Sequence, residues 1–249
     1  MKSSMPFLGV SAPALRAVCR DAISAHPLDS FDEWSGAVLA LWRDAEYREE
    51  RHAAITIADG RRYASYRTRQ AIPMLEEMIV TGAWWDYVDA LATHHLGDVL
   101  AAELRAGRGA AMRRLLLQWA RSDDMWKRRA AMLCQIRFKK DTDVDLLFAC
   151  LEPSLLDAGT RSTELPGLKP RPTRSGTRPT SRDIRHDFFI RKAIGWALRQ
   201  YAWVHPDEVK RYVAANRARL SPLSVREALK NIGTEKGTKI AKGTKDVRR

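Results

Sequence analysis

Apolar residues recur at three- and four-residue spacing along nearly all of this chain, while period-two alternation bounded by turn signals is hard to find. That periodicity restricts the fold to packed helices. The spacing predicts helices near 11–25, 30–42, 46–59, 63–81, 83–104, 108–121, 124–138, 142–156, 185–203, 206–218 and 221–232. Asp29 or Ser30, Ser122 or Asp123, and Ser221 before Pro222 read as N-caps, and Gly82, Gly107 and Gly109 punctuate connections. Four helix starts look alike: Arg51-His52-Ala53-Ala54-Ile55, Asp86-Tyr87-Val88-Asp89-Ala90, Arg128-Arg129-Ala130-Ala131-Met132 and Arg191-Lys192-Ala193-Ile194-Gly195. Their intervals are 35, 42 and 63 residues, and the last falls to about 36 when the low-complexity stretch near 155–181 is set aside as an insertion. Two helices per roughly 38 residues mark a HEAT-like α-solenoid, whose small residues (Ala53, Ala54, Ala130, Ala131, Ala193) let neighbouring helices approach closely. The expected fold is all-α, a HEAT-like repeat solenoid with a concave basic groove, forming a single domain over residues 5–232. A flexible Pro/Arg-rich insertion at about 157–182 interrupts it, and a disordered basic tail, 233–249, follows. A generic helical bundle with chance similarity between helix starts is the alternative on period alone.

The partner class follows from charge. Lysine and arginine number 43 against 30 acidic residues, giving a formal net charge of +13 and a pI near 10.0. Nucleic acid is the leading partner for such a balance, and a basic soluble protein with solvated charged faces is the duller reading. Cys19, Cys134 and Cys150 are odd in number and far apart, which argues against a disulfide framework and a zinc site and fits a reducing compartment. The first ten residues hold no apolar secretory segment, and no run approaches membrane-spanning length. A cytoplasmic protein that binds nucleic acid, monomeric and with no membrane contact, is the expectation.

Against that basic background, Ala83-Trp84-Trp85-Asp86-Tyr87-Val88-Asp89 sets two tryptophans and two acids on one short helical stretch. Trp85 and Asp89 are four apart and share a helix face, whereas Asp86 lies on another face and reads as a surface or capping acid. In register, the repeat starts place Trp85 with Asp89, Arg128 with Arg129, and Trp196 with Arg199 at comparable positions on successive inner helices. Arginines along a groove suit phosphates and indole rings suit sugars or bases. The acid discriminates between functions. Phosphate repels it in a pure binding groove, but an enzyme that breaks an N-glycosidic bond needs an anion beside the oxocarbenium-like sugar. Trp85 and Trp196 as core aromatics, and Asp89 as half of a structural ion pair, remain open alternatives. Arg43, Arg48, Arg51, Arg128 and Arg191 are candidate phosphate contacts. Adjacent His94 and His95 diverge around a helix, and no metal-ligand set, phosphate loop or G-x-S-x-G elbow occurs, so neither metal nor cofactor is expected.

At these residues the sequence resembles the AlkD-like family of DNA alkylation repair proteins, bacterial glycosylases built from HEAT-like repeats. The likeness lies in Pro6-Phe7-Leu8-Gly9-Val10, in Leu41-Trp42 with Arg48-Glu49-Glu50-Arg51-His52-Ala53-Ala54, and in Trp84-Trp85-Asp86-Tyr87-Val88-Asp89. It continues in Trp126-Lys127-Arg128-Arg129-Ala130-Ala131-Met132 and in the run from Phe188 to Arg199, and spans about residues 5–232. The resemblance implies excision of positively charged N3- and N7-alkylated purines from duplex DNA, without drawing the base into a pocket. Carried over, Asp89 is the catalytic carboxylate, Trp85 and Trp196 pack against the lesion's deoxyribose, and Arg129 positions the backbone. The chain departs from the family pattern in the Pro/Arg-rich insertion before the Trp196 helix and in the lysine-rich tail. No lysine is motivated as a Schiff-base nucleophile, so hydrolysis without a lyase step is expected. The rival readings are a non-catalytic HEAT-repeat protein that binds damaged or branched DNA, and a protein-binding helical scaffold.

Overall fold

The computed structural model describes residues 5–156 and 187–232, so the expected insertion at about 157–182 and the tail at 233–249 lie outside the described residues. Among the described residues every regular element is helical. The chain divides into two compact units, Met1–Arg114 and Leu115–Arg249.

The first unit contains α1 (Ala12–Ala25), α2 (Phe31–Arg43), α3 (Arg48–Ala58), α4 (Ile72–Gly82), α5 (Trp85–Ala90) and α6 (Gly97–Arg105). Local chemistry sets the starts. Ser30 accepts the Glu33 N–H at 3.1 Å while the Glu33 carboxylate accepts the Asp29 N–H at 2.8 Å, closing a reciprocal cap on α2. The Glu50 carboxylate does the same for the Tyr47 N–H ahead of α3, at 2.9 Å. The core stripe follows helical spacing: Trp34, Val38 and Trp42 from α2, Ala54 and Ala58 from α3, and Leu75, Met78 and Ile79 from α4 are all buried. Removing each large apolar side chain from water contributes about 2 kcal/mol. Ala54 and Ala58 give α3 a flat face, and α3 packs against α1, α2 and α5.

Two expected helices are divided in this unit. Residues 61–71 form 3-10 turns, Arg61–Tyr66 and Arg69–Ala71, before α4 begins at Ile72. Pro73 has no N–H to donate and disfavours helical geometry before it, so a helix containing it starts there. The stretch expected at 83–104 divides into α5, a π-helical turn Leu91–Leu96, and α6. Ala83, in the left-handed region at φ +43, separates α4 from α5. Gly82 instead answers a packing demand, because a Cβ there would lie 2.9 Å from the Trp42 ring.

A helix α7 (Gly109–Ala120) crosses the boundary between the units. The second unit then contains α8 (Met125–Leu133), α9 (Val144–Leu151), α10 (Phe188–Tyr201), α11 (Pro206–Ala215) and α12 (Pro222–Leu229). Asp124, rather than Ser122 or Asp123, caps α8, accepting the N–H groups of Trp126 and Lys127 at 2.9 Å each. Ser221 caps α12 as expected. Helix α10 packs against α8, α11 and α12. Its contact with α12 is close at Gly195, where a Cβ would stand 2.5 Å from the Glu227 Cβ and 2.8 Å from the Ser224 carbonyl oxygen. The four similar helix starts fall on α3, α5, α8 and α10, and within each unit the pair packs together, α3 on α5 and α8 on α10. All three cysteines are buried and none forms a disulfide among the described residues. No helix among the described residues is long and apolar enough to cross a membrane.

Candidate functional site

Trp85 opens α5 and Asp89 lies one turn on, so the two share a face of a six-residue helix. Trp85 is 43% exposed, unlike the buried indoles of Trp34 and Trp42, and its ring centre lies 6.5 Å from that of Trp84. Asp89 is half-buried. The opposite side of α5 is core: Tyr87 and Val88 are buried, and the Tyr87 ring meets Trp42 edge-on at 5.5 Å. Trp42 is pinned in turn by its Nε1–H donating to the Thr81 hydroxyl at 2.9 Å. The first unit therefore presents an indole and a carboxylate on the outer face of a helix whose inner face is fixed.

The arginines expected along this part of the chain divide by environment. Arg43 is exposed and forks onto both oxygens of Glu77 at 2.6 Å. The Arg51 guanidinium lies 4.8 Å from the Trp42 ring centre and reaches the Thr81 carbonyl oxygen at 3.4 Å. Arg48 donates to Oδ2 of Asp86, and His52 Nε2 lies 3.4 Å from the same oxygen. Asp86 is thus not a surface acid: its side chain is only 16% exposed. Burial opposes its ionisation, but the hydrogen bond from His52 and the charges of His52 and Arg48 prevail and hold its carboxyl below the usual aspartate value. Beside α5 lies a cleft of about 510 Å³, lined by Phe7, Val10, Leu15, Arg16, Arg48, Glu49, His52, Ile55, Thr56 and Ala90 among others. Glu49 ties the incoming strap to α3 by accepting the N–H groups of Leu8 and Gly9 at 3.0 and 2.8 Å.

The second unit holds the other expected residues. Trp196 is half-buried on α10, with Arg199 one turn beyond it. Arg199 donates to Glu227 at 2.8 Å, and Lys192 reaches the other oxygen of the same carboxylate at 2.9 Å. Hydrogen bonding from Lys192 lowers the Glu227 pKa against a smaller opposing effect of burial, and the charges of Lys192, Arg199 and Lys230 add to it. Two arginines expected on a groove are instead internal. Arg128 is 2% exposed and donates to the carbonyl oxygens of Ser122 and Pro153, the latter at 3.1 Å, so it ties a loop to the helix end rather than facing solvent. Arg129 is 4% exposed and donates to the Phe189 carbonyl oxygen at 2.6 Å, joining α8 to the start of α10. Arg191 is half-buried and burial lowers its pKa. Trp85 and Asp89 belong to the first unit, and Arg128, Arg129, Arg191, Trp196 and Arg199 to the second.

Sequence reasoning missed the link between Asp86 and the Arg48/His52 pair. The available signal was that Arg48 and His52 stand four apart on one face of α3, but nothing in the sequence names the acid they meet. It also missed Glu227. Among the described residues no group of three or more His, Cys, Asp or Glu side chains is arranged to hold a metal ion.

Comparison with known proteins adds to this geometry. The sequence model of the family described as DNA alkylation repair enzyme matches residues 1–161 and 183–232. A solved structure, described as a predicted DNA alkylation repair enzyme from Enterococcus faecalis, superposes with a TM-score of 0.70 at 24% sequence identity. The match covers 92% of this chain and 90% of that one, and it carries the fold. No curated protein matches the chain.

Proposed function

The chain belongs to the DNA alkylation repair enzyme family, and we propose that within it the protein is a monofunctional glycosylase that hydrolyses the N-glycosidic bond of positively charged N3- and N7-alkylated purines in duplex DNA. The observation that carries this reading is the pairing of an exposed indole, Trp85, with the half-buried Asp89 on one turn of α5. A binding groove gains nothing from an acid that phosphate repels, whereas a bond-breaking site does.

The chemistry asks little of the protein. The alkylated base already carries a positive charge, so the C1′–N bond breaks with its electron pair passing to the base, which leaves neutral. Charge then develops on the sugar ring, and the Asp89 carboxylate stabilises it. Water adds to C1′ and loses its proton to solvent or to Asp89. Trp85 packs on the deoxyribose, Trp196 packs on the DNA from its own unit, and Arg43, Arg51, Arg191 and Arg199 are the proposed cationic contacts to the backbone. Arg128 and Arg129 act from within, by holding the start of α10 and its neighbouring loop.

The test is base release from a duplex carrying one N7-methylguanine, read as strand breakage after alkali, for wild type and Asp89→Asn at equal DNA occupancy. The wild type should cut, and the variant should lose about 10-fold or more in rate. Tight, salt-dependent binding with no release from this duplex or from one holding N3-methyladenine would leave a non-catalytic damage-binding protein.

A further inference from the structure

Helix α5 is the amino-terminal end of a helical run that continues through the π-helical turn into α6. Its first turn, where Trp85 and Asp86 lie, has no side-chain cap and depends on tertiary support. No helix supports it on the amino-terminal side, where the left-handed Ala83 ends α4. Yet α5 carries Trp85 and Asp89 on its outer face. Between them lies Asp86, whose Oδ2 receives Arg48 and faces His52 Nε2 at 3.4 Å. Arg48 and His52 project from one face of α3, and α3 is anchored independently, with the Arg48 N–H donating to the Pro6 carbonyl oxygen at 2.9 Å. The side chains of Arg48, His52 and Asp86 are 28, 32 and 16% exposed, so the network is largely withdrawn from water. On the adjoining side, the Tyr87 ring packs on His52 at 5.0 Å.

We propose that Arg48, Asp86 and His52 are positioning residues, which fix the rotation of α5 about its axis and thereby hold Trp85 and Asp89 toward the DNA. This rests on the glycosylase reading of Asp89. It also reassigns Arg48, whose Nη2 donates to Asp86, from a phosphate contact to an internal strut. One residue of helix rotation is about 100°. Losing the strut lets α5 turn by a fraction of that, and displacement of about 1 Å at a reacting centre costs up to about 100-fold in rate.

The experiment is a double-mutant cycle with Asp86→Asn, Arg48→Gln and the double variant, read in two ways. Single-turnover base release at saturating protein should slow by about 10- to 100-fold in each single variant, and the double should be no slower than the worse single. Affinity should keep the wild-type salt slope. An Arg48→Gln protein with an unchanged saturated rate and a salt slope smaller by about one overturns the proposal and makes Arg48 a phosphate contact. Rate losses that multiply in the double variant overturn it too. Should Asp86→Asn fail to fold, Asp86→Glu keeps the charge and lengthens the arm: a slower step at unchanged affinity supports the strut, and a wild-type rate removes it. The second readout needs no catalysis. In fluorotryptophan-labelled protein, with the Trp85 fluorine resonance assigned by Trp85→Phe, that resonance should shift or broaden in both single variants. If the wild type releases no base, the glycosylase reading fails by itself, and an unmoved Trp85 resonance then rejects the strut while a moved one upholds it as the device that orients α5.

Discussion

Substituting Gly195 by alanine sets two effects of opposite sign against each other. In a helix interior, glycine to alanine ordinarily gains about 1 kcal/mol, because the unfolded chain has less freedom to lose. At Gly195 the added methyl would stand 2.5 Å from the Glu227 Cβ, 2.8 Å from the Ser224 carbonyl oxygen and 3.2 Å from the Ser224 Cα. Carbon atoms pack best at about 3.5–4.0 Å, so α10 and α12 must part by roughly 1 Å. The obstructing atoms belong to backbone or to the root of a side chain, and no rotamer change clears them. The same interface carries the Ser224 hydroxyl donating to the Arg191 carbonyl oxygen at 2.9 Å and the Glu227 bridges to Lys192 and Arg199. Overpacking of this kind costs about 1–3 kcal/mol and straining the bridges adds to it, so the net expectation is a loss of about 1–2 kcal/mol. That corresponds to a melting temperature lower by about 2–8 °C for a chain of this size. Gly36 provides the control: it is exposed within α2 with nothing within 4 Å of an added Cβ, so Gly36→Ala should be neutral to about 1 kcal/mol stabilising. Thermal and urea unfolding of both variants decide the matter. A Gly195→Ala protein as stable as the wild type would mean that the contact of α10 with α12 is soft, and the account of Gly195 would fail.

Two further outcomes follow from buried polar groups. His95 is 1% exposed, neither ring nitrogen finds a hydrogen-bond partner, and burial holds its pKa at about 4 against an ordinary 6.5. The unfolded chain takes up the proton first, so this contribution to stability is full above pH 6.5 and is lost as the pH falls toward about 4; its size is about 3 kcal/mol. Denaturant titrations from pH 7 to 4 should show that slope, and His95→Leu should flatten it. For Arg128, replacement by Met should cost about 1–3 kcal/mol by stranding the carbonyl oxygens of Ser122 and Pro153, while the salt dependence of DNA binding stays as in the wild type. A shallower salt slope in Arg128→Met would restore Arg128 to the phosphate contacts.

How much of this could be read from residues alone depends on the range of the forces involved. Helix identity and most boundaries came through, because caps such as Ser30 and Ser221 and the core stripe of α2 are local. The recurrent starts also identified helices that pack in pairs, α3 on α5 and α8 on α10. The 3-10 turns before α4 were hidden because Tyr63, buried in one of them, sustains an apolar period that mimics a helix. Arg128 and Arg129 misled for a different reason. Arginine is ordinarily a surface residue, and of the carbonyl groups that these two meet, those of Pro153 and Phe189 are brought near only by the tertiary fold. Asp86 was misplaced by the same gap, since Arg48 and His52 lie more than thirty residues earlier in the sequence.

The π-helical turn at Leu91–Leu96 has a consequence for how this chain tolerates change in length. A π turn accommodates one residue more than the α-helical turn it replaces, so it takes up that residue while α5 and α6 keep nearly the alignment of a continuous α-helix. Deleting one residue from 91–96 would let the hydrogen-bond ladder heal into continuous α-helix, a locally favourable outcome. The healed rod would keep its two ends close to their present alignment, because the residue lost is the one the wide turn had taken up. Trp85 and Asp89 would stay on the outer face, and Val99 and Leu100 would stay in the core. A single codon lost from 91–96 is thus borne by the turn, whereas the same loss within α5 or α6 would rotate one end of the helix against the other by about 100°.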